Sequence, residues 1–230
     1  MLWYKGWLET RLKLAVVLGV VSCFIIFLHS LPSGSGRVSV VALTGVPRIS
    51  VVWICAFLAG AGIATQPGLQ ATKGLHGSML FTLALPVSRF RLLAIRAAIG
   101  WLESTVAISI FCYGIWLRFP AFREAVTGVD MIEFSGILIA SASALYFASV
   151  LLATFLDDQW RIWATMLVPF IFWQLTSRIP LPAFADILRA TGNGSPLITH
   201  TMPWSTVAFS LALVAALFLA AYKIAESREY

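Results

Sequence analysis

The stretch GSMLFTLALPVSRFRLLAIR, residues 77–96, joins an apolar helical run to three arginines and decides how the chain is organised. The apolar run stops at Pro86, and Arg89, Arg91 and Arg96 follow before the chain becomes apolar again. A solvated loop would be more polar, and a membrane span would not carry three cations so close together. The pattern predicts an element that lies at a membrane surface between two spans.

Composition places the whole chain in a membrane. Hydrophobic residues make up 60% of the 230 residues and charged residues 11%, whereas water-soluble domains carry about 25% charged residues. The apolar runs approach the roughly 20 residues that a helix needs to cross a bilayer, and they lack the alternation of a barrel strand. We therefore expect an all-α integral membrane protein with a single transmembrane domain over residues 1–230.

The net charge of +6 does not point to nucleic acid. The cations lie mainly at the ends of apolar runs, which predicts contact with anionic membrane lipid and no nucleic-acid partner. Cys23, Cys55 and Cys112 each fall inside a predicted span without metal-ligand spacing. They are expected to be small buried hydrophobic residues, and neither a disulfide framework nor a zinc site is predicted.

The apolar runs predict six transmembrane helices, at about 14–31, 49–65, 94–117, 134–156, 162–177 and 204–222. Residues 1–13 combine Trp3 and Trp7 with Glu9 and Arg11, a mixture typical of a helix in the headgroup layer. We expect an N-terminal interfacial helix there. The alternative is that these residues simply begin the first span.

The loop before the last span is too apolar to be fully solvated. Phe184, Ile187 and Leu188 recur at helical spacing, with Asp186 and Arg189 opposite, which predicts a re-entrant outer segment containing a short helix. With the N-terminus inside, most of the 16 Lys and Arg residues fall at cytoplasmic span ends. The positive-inside rule then predicts that both termini are cytoplasmic. The cations expected outside are Arg37, Arg48, Arg118, Arg123, Arg178 and Arg189.

Catalytic motifs are absent from the sequence. It contains no HExxH, no GxSxG and no GxxxxGK[ST]. We expect no intrinsic enzyme activity and no catalytic, cofactor or metal residues, and any ATP hydrolysis would occur in another polypeptide. His29, His76 and His200 are too scattered along the predicted topology for one metal site. Glu103 is the acidic residue well inside a span, so it is either a functional acid or a structural partner, for example of Arg96 two helical turns earlier.

The surface element before Pro86 has the pattern of a short amphipathic helix. His76, Met79, Leu80 and Leu83 fall at i, i+3, i+4 and i+7. Such a helix either packs against the inner ends of the bundle or protrudes to transmit movement from a motor outside the membrane.

In this element the chain resembles the ABC-2 type permeases, the membrane subunits of ATP-binding-cassette exporters. Members of that family commonly carry, after the second span, a glycine with threonine or serine, then an apolar stretch that ends in Leu-Pro-Val-Ser-Arg and further basic residues. The matching residues are Gly77, Ser78, Leu85, Pro86, Val87, Ser88, Arg89 and Arg91. The family often has an acidic residue a few positions before the glycine and threonine pair, where this chain reads Ala71-Thr72-Lys73-Gly74.

The resemblance implies a permease subunit of an exporter in a membrane, here expected to be a prokaryotic plasma membrane. It implies a partner ATPase that binds ATP and Mg, and a second permease chain that is identical or different. A cytoplasmic coupling helix between spans 2 and 3 would dock the ATPase through His76, Gly77, Ser78, Met79, Leu80, Leu83, Pro86, Ser88, Arg89 and Arg91. Two rival hypotheses are a membrane-embedded enzyme that acts on lipid through Glu103, and a stand-alone channel or assembly protein.

Overall fold

The computed structural model describes residues 2–30, 40–59, 88–156, 158–179 and 181–227. These residues form helices and connecting turns, with no strand among them. In chain order the helices are α1 Leu2–Ser30, α2 Val40–Leu58, α3 Arg89–Arg118, α4 Pro120–Ala125, α5 Gly128–Ala153, α6 Asp158–Arg178, α7 Ile187–Ala190, α8 Pro196–Thr199 and α9 Trp204–Ser227.

Four helices are long and apolar enough to cross a membrane: α1 over Thr10–Phe27, α3 over Phe90–Arg118, α5 over Gly128–Ala153 and α9 over Trp204–Ile224. The predicted second span corresponds to α2, in which the apolar part is Pro47–Leu58 and therefore shorter. The predicted fifth span corresponds to α6, which contains Pro169 and is less apolar. The predicted all-α membrane architecture is thus confirmed, with four candidate spans among the described residues.

Helix α5 lies at the centre of the bundle and packs against α2, α3, α6 and α9. Many of its buried residues are small, including Ala140, Ala142, Ser143 and Ser149, and small side chains allow neighbouring membrane helices to approach closely. The outward faces of the bundle carry exposed large apolar side chains such as Phe170. This distribution suits hydrocarbon, where helices associate through packing and exposed apolar surface costs nothing.

The long helices alternate in direction. We call the end of the bundle at which α1 begins the proximal end and the opposite end the distal end. Helices α1 and α3 run in parallel, since Gly6 approaches Ile99 and Phe24 lies against Phe111. Helix α5 runs against α3, as the bond from the Tyr146 hydroxyl to the Ala97 carbonyl shows near the proximal end.

Helix α2 starts near the distal end and finishes at the proximal one, beside the start of α6. Helix α9 runs parallel to α5, because Met202 lies near Gly136 and Phe218 contacts Phe147. Helices α1, α3 and α6 therefore begin at the proximal end, and α2, α5 and α9 begin at the distal end.

Residues 2–13 do not form a helix of their own. They are continuous with the first span in α1, Leu2–Ser30. The prediction of a separate interfacial helix is therefore corrected: these residues begin the first span. A headgroup-layer helix and a span share the same backbone periodicity, and no proline interrupts this stretch. The side chains of Trp3, Trp7 and Arg11 are exposed, as an interfacial position requires; that of Glu9 lies outside the described residues.

Capping residues define the distal connections. Pro120 occupies the first turn of α4, directly after α3, where its missing N–H and fixed φ are tolerated. Thr127 begins α5 by accepting a hydrogen bond from the Asp130 backbone N–H at 3.2 Å. Asp186 begins α7 in the same way, accepting from the Arg189 N–H at 2.9 Å. The predicted short helix before the last span is thus present as Ile187–Ala190, but it does not include Phe184.

Candidate functional site

A buried arginine ties three helices together at the proximal end. Arg161, near the start of α6, is 0% exposed. Its Nη1 donates to the carbonyl oxygens of Ala56 and Ala59 at the end of α2, at 3.2 Å for Ala56. The same nitrogen lies 3.2 Å from the Ser149 hydroxyl on α5. One side chain therefore connects the ends of α2, α5 and α6.

Thr165, one turn further along α6, completes this cluster. Its hydroxyl lies 2.8 Å from both the Ser149 hydroxyl and the Arg161 carbonyl. We call Arg161, Ser149, Thr165 and the carbonyls of Ala56 and Ala59 the proximal clamp. The last carbonyls of a helix have no partner within the helix and carry partial negative charge. A guanidinium at this position satisfies them and fixes where α2 ends.

The predicted docking residues lie between the end of α2 and the start of α3 in the chain. His76, Gly77, Ser78, Met79, Leu80, Leu83 and Pro86 lie outside the described residues. Ser88 is described and exposed, and its hydroxyl accepts a hydrogen bond from the Arg91 N–H at 3.3 Å. Ser88 is therefore the N-cap of α3, so this residue of the family-like motif has a local structural role. Arg89 and Arg91 belong to the first turn of α3, where the Arg91 side chain is exposed.

Glu103 joins α3 to α1. Its side chain is buried, and Oε1 accepts a hydrogen bond from the Thr10 hydroxyl. Oε2 is buried without a hydrogen-bond partner among the described residues. The contact is therefore with Thr10 on a neighbouring helix, where the sequence indicated a partner within α3. Thr10 also lies 3.3 Å from the Gly6 carbonyl.

A cavity of about 730 Å³, here called the distal cavity, lies near the middle of the bundle against the distal segment 181–203. Side chains of α2, α5, α6 and α9 line it, together with residues of the distal segment 181–203. Arg48 on α2 borders this cavity, and its Nη2 donates to the Leu188 carbonyl at 2.9 Å. Sequence reasoning used Arg48 only as one of the cations outside, and it did not predict the cavity.

A second distal contact joins α5 to the segment after α8. Nδ1 of His200 lies 3.2 Å from Oδ1 of Asp130, and the histidine side chain is 67% exposed. His200 ends α8 in the left-handed region, at φ 50°. The Thr127 hydroxyl donates to the other Asp130 oxygen at 2.7 Å. Asp130 thus fastens the distal segment onto the start of α5.

The cysteines divide into two kinds. Cys55 and Cys112 are buried, as predicted, but Cys23 on α1 is exposed, so the prediction was wrong for that residue. The described residues contain no group of three or more His, Cys, Asp or Glu that could hold a metal ion.

The proximal clamp was not predicted from the sequence, because its members come from positions far apart in the chain. The available signal was a small polar residue on each of two apolar helices, Ser149 and Thr165, near an arginine.

In comparisons with known proteins, no family model, no curated protein and no solved structure matches the chain.

Proposed function

We propose that this chain is the transmembrane permease subunit of an ABC-2 type transporter, which couples ATP hydrolysis in a separate ATPase subunit to export of a substrate. The observation that carries the proposal is the proximal clamp. Arg161 holds the end of α2 against α5 and α6, and the family-like motif Leu85 to Arg89 lies in the stretch between α2 and α3. A force applied to that motif would reach three helices at once.

The topology that we propose has six spans, with α2 and α6 as the second and fifth. The alternating directions of the six long helices support it, because each crossing reverses the chain. The proximal end then faces the cytoplasm, with both termini there, in a prokaryotic plasma membrane. The distal segment 181–203 lies at the outer side as a re-entrant element, which its two short helices support.

The working complex that we propose contains two permease chains and two ATPase chains. ATP and Mg bind to the ATPase alone, because this chain has no phosphate-binding GxxxxGK[ST] motif. The ATPase docks on residues 76–91 at the proximal end. Closure of the ATPase pair pushes this element, and the proximal clamp transmits the displacement from α2 to α5 and α6. The spans then change from an inward-open to an outward-open arrangement.

Co-purification tests this proposal. The tagged chain is extracted in a mild neutral detergent, and captured proteins are identified by mass spectrometry. We expect a Walker-A-bearing ATPase with the wild type and its loss with Met79→Asp and Leu83→Asp, since a carboxylate on the apolar docking face would have to be desolvated. Ile198→Asp, at an exposed position of α8, is the matched control and should retain the ATPase.

Membrane insertion of each variant is checked by fractionation. Failure of the wild type to capture any such ATPase would count against a permease subunit and in favour of a stand-alone channel or assembly protein. Retention of the ATPase by both Asp variants would place the docking site elsewhere.

A further inference from the structure

The distal cavity has walls of two chemical kinds. Most of its lining is aliphatic or aromatic, for example Trp53 on α2, Leu145 on α5 and Phe172 on α6. The polar lining residues are Arg48, Ser141 and Thr191. A cavity of about 730 Å³ lies within the range of roughly 300–1,000 Å³ that is usual for ligand sites, which combine apolar walls with a few placed polar groups.

The two hydroxyls in the wall are already engaged by their own helical turns. Ser141 donates to the Ile137 carbonyl at 2.7 Å, and Thr191 donates to the Ile187 carbonyl at 3.1 Å. Neither hydroxyl proton is available to a ligand without breaking that bond. The polar recognition group of the cavity is therefore the Arg48 guanidinium.

Arg48 is held in place by the distal segment. Besides the bond to the Leu188 carbonyl, its guanidinium lies against Gly192, where a Cβ would be 2.9 Å from Nη1. Glycine at this position leaves room for the cation. The described bond uses one of the N–H donors of the planar fork, and no carboxylate among the described residues forms an ion pair with Arg48.

A guanidinium beside an apolar cavity at membrane depth favours an anionic partner, since an uncompensated charge there is costly. Arginine binds carboxylate and phosphate groups with two parallel hydrogen bonds. Apart from the Ser141 and Thr191 hydroxyls, whose protons are engaged, the rest of the cavity offers apolar contacts, which suit a hydrocarbon chain better than a free inorganic anion.

We propose that the distal cavity binds an amphiphile with a single anionic head group and an apolar chain, its head group on Arg48 and its chain between α5 and α6. Head groups of this chemistry occur both in resident membrane lipids and in amphiphiles that are carried across a membrane. The site is formed by this chain alone, so it stands apart from the ATPase partnership.

Photolabelling of the purified chain in neutral detergent tests the site. The probe is palmitic acid with a diazirine on its chain, compared with its uncharged methyl ester, and labelled peptides are mapped by mass spectrometry. We expect labels from the acid on the lining stretches 138–148 and 166–172. Arg48→Gln should reduce this labelling about tenfold, because it removes a charge-assisted contact, and it should leave labelling by the ester unchanged.

Two further variants separate site occupancy from general damage. Ala148→Trp fills the cavity from α5 and should block labelling by both probes, whereas Ala212→Trp, exposed on α9, should block neither. Arg118→Gln removes an exposed cation at the distal end of α3 and should label like the wild type. Each variant is first checked for an unchanged thermal unfolding midpoint.

Competition distinguishes the possible sources of the ligand. Phosphatidylglycerol that displaces the probe, and that is extracted with the wild type but not with Arg48→Gln, identifies a resident lipid. Displacement by anionic detergents of several chain types, with no lipid extracted, identifies a carried amphiphile. Equal labelling of wild type and Arg48→Gln by the acid overturns the proposal, as does displacement by inorganic phosphate as effective as that by phosphatidylglycerol.

Discussion

Two arginines, one at each end of the bundle, show how differently a membrane protein can use the same side chain. Arg161 at the proximal end is fully buried, and the described structure surrounds it with the carbonyls of Ala56 and Ala59 and the hydroxyl of Ser149. Arg48 at the distal end is half-buried, borders a cavity and makes its described hydrogen bond to the Leu188 carbonyl. Nη1 of the first guanidinium is surrounded by protein acceptors, and the second guanidinium faces a space that a ligand can occupy.

The comparison separates a structural cation from a binding cation. A guanidinium that satisfies the last carbonyls of a helix fixes the position of that helix, so its loss should affect stability and the transmission of movement. A guanidinium with one protein acceptor contributes little to stability, and its loss should affect ligand binding.

Arg161→Met should destabilise the protein by about 3 kcal/mol, because removing one member of a buried charged network leaves the others without a partner. The readout is the free energy of unfolding in detergent, followed by tryptophan fluorescence. Arg161→Lys retains the charge but not the planar fork, so it should fall between Arg161→Met and the wild type. A loss of unfolding free energy as small as that expected for Arg48→Gln would remove the distinction between the two arginines.

Gly100→Ala should cost about 1–3 kcal/mol, since its Cβ meets packed neighbours. That atom would lie 3.2 Å from the Leu58 carbonyl and would also meet the Tyr146 hydroxyl, which bonds to the Ala97 carbonyl. Gly45 provides the distal counterpart on α2, because a Cβ there meets no described atom within 4 Å. Thermal unfolding should show a clear loss of stability for Gly100→Ala and almost none for Gly45→Ala. Equal losses would mean that the proximal end is packed no more tightly than the distal end.

Thr10→Val should cost about 1–2 kcal/mol, because it leaves the buried Glu103 carboxyl without its described partner. The distal comparison is Asp130→Asn, which weakens a part-buried contact with the exposed side chain of His200 and should cost about 1 kcal/mol or less. Denaturant unfolding gives the free energy of unfolding of both variants. A larger loss of unfolding free energy for Asp130→Asn than for Thr10→Val would show that the Asp130–His200 contact matters more to stability than the contact between α1 and α3.

Arg48→Gln should change the free energy of unfolding by less than about 1 kcal/mol, since it removes one partly exposed hydrogen bond. Thermal unfolding measures this change, and Arg118→Gln is the control for the loss of a distal cation. Destabilisation equal to that of Arg161→Met would identify Arg48 as a second structural clamp.

The sequence predicted much of the helical architecture because each long helix is a local apolar run. The runs that became α3, α5, α6 and α9 were all located, with ends that shifted by several residues. Those shifts follow from caps: Ser88 starts α3 earlier than the apolar pattern does, and Thr127 does the same for α5. The continuity of α1 was predicted only as the alternative, because hydropathy changes near residue 13 while the helical backbone does not.

The two arginine sites could not be predicted for a different reason. The proximal clamp depends on Ala56, Ala59, Ser149 and Arg161 meeting in space, and the cavity depends on four helices and the distal segment diverging. Local spacing carries no information about either arrangement. Glu103 was singled out as an acid inside a span and its side chain is buried, but its partner Thr10 lies on another helix and could not be predicted from periodicity within α3.

Site-specific photo-crosslinking in cells shows whether an ATPase contacts the proximal end of the bundle. Benzoylphenylalanine is placed at Leu83, in the proposed docking element, and at Ile198, at the distal end. A permease subunit driven from its proximal end predicts an adduct with a Walker-A-bearing ATPase at position 83 and none at position 198. The absence of an ATPase adduct at position 83, or the presence of one at position 198, would contradict docking of an ATPase at the proximal end.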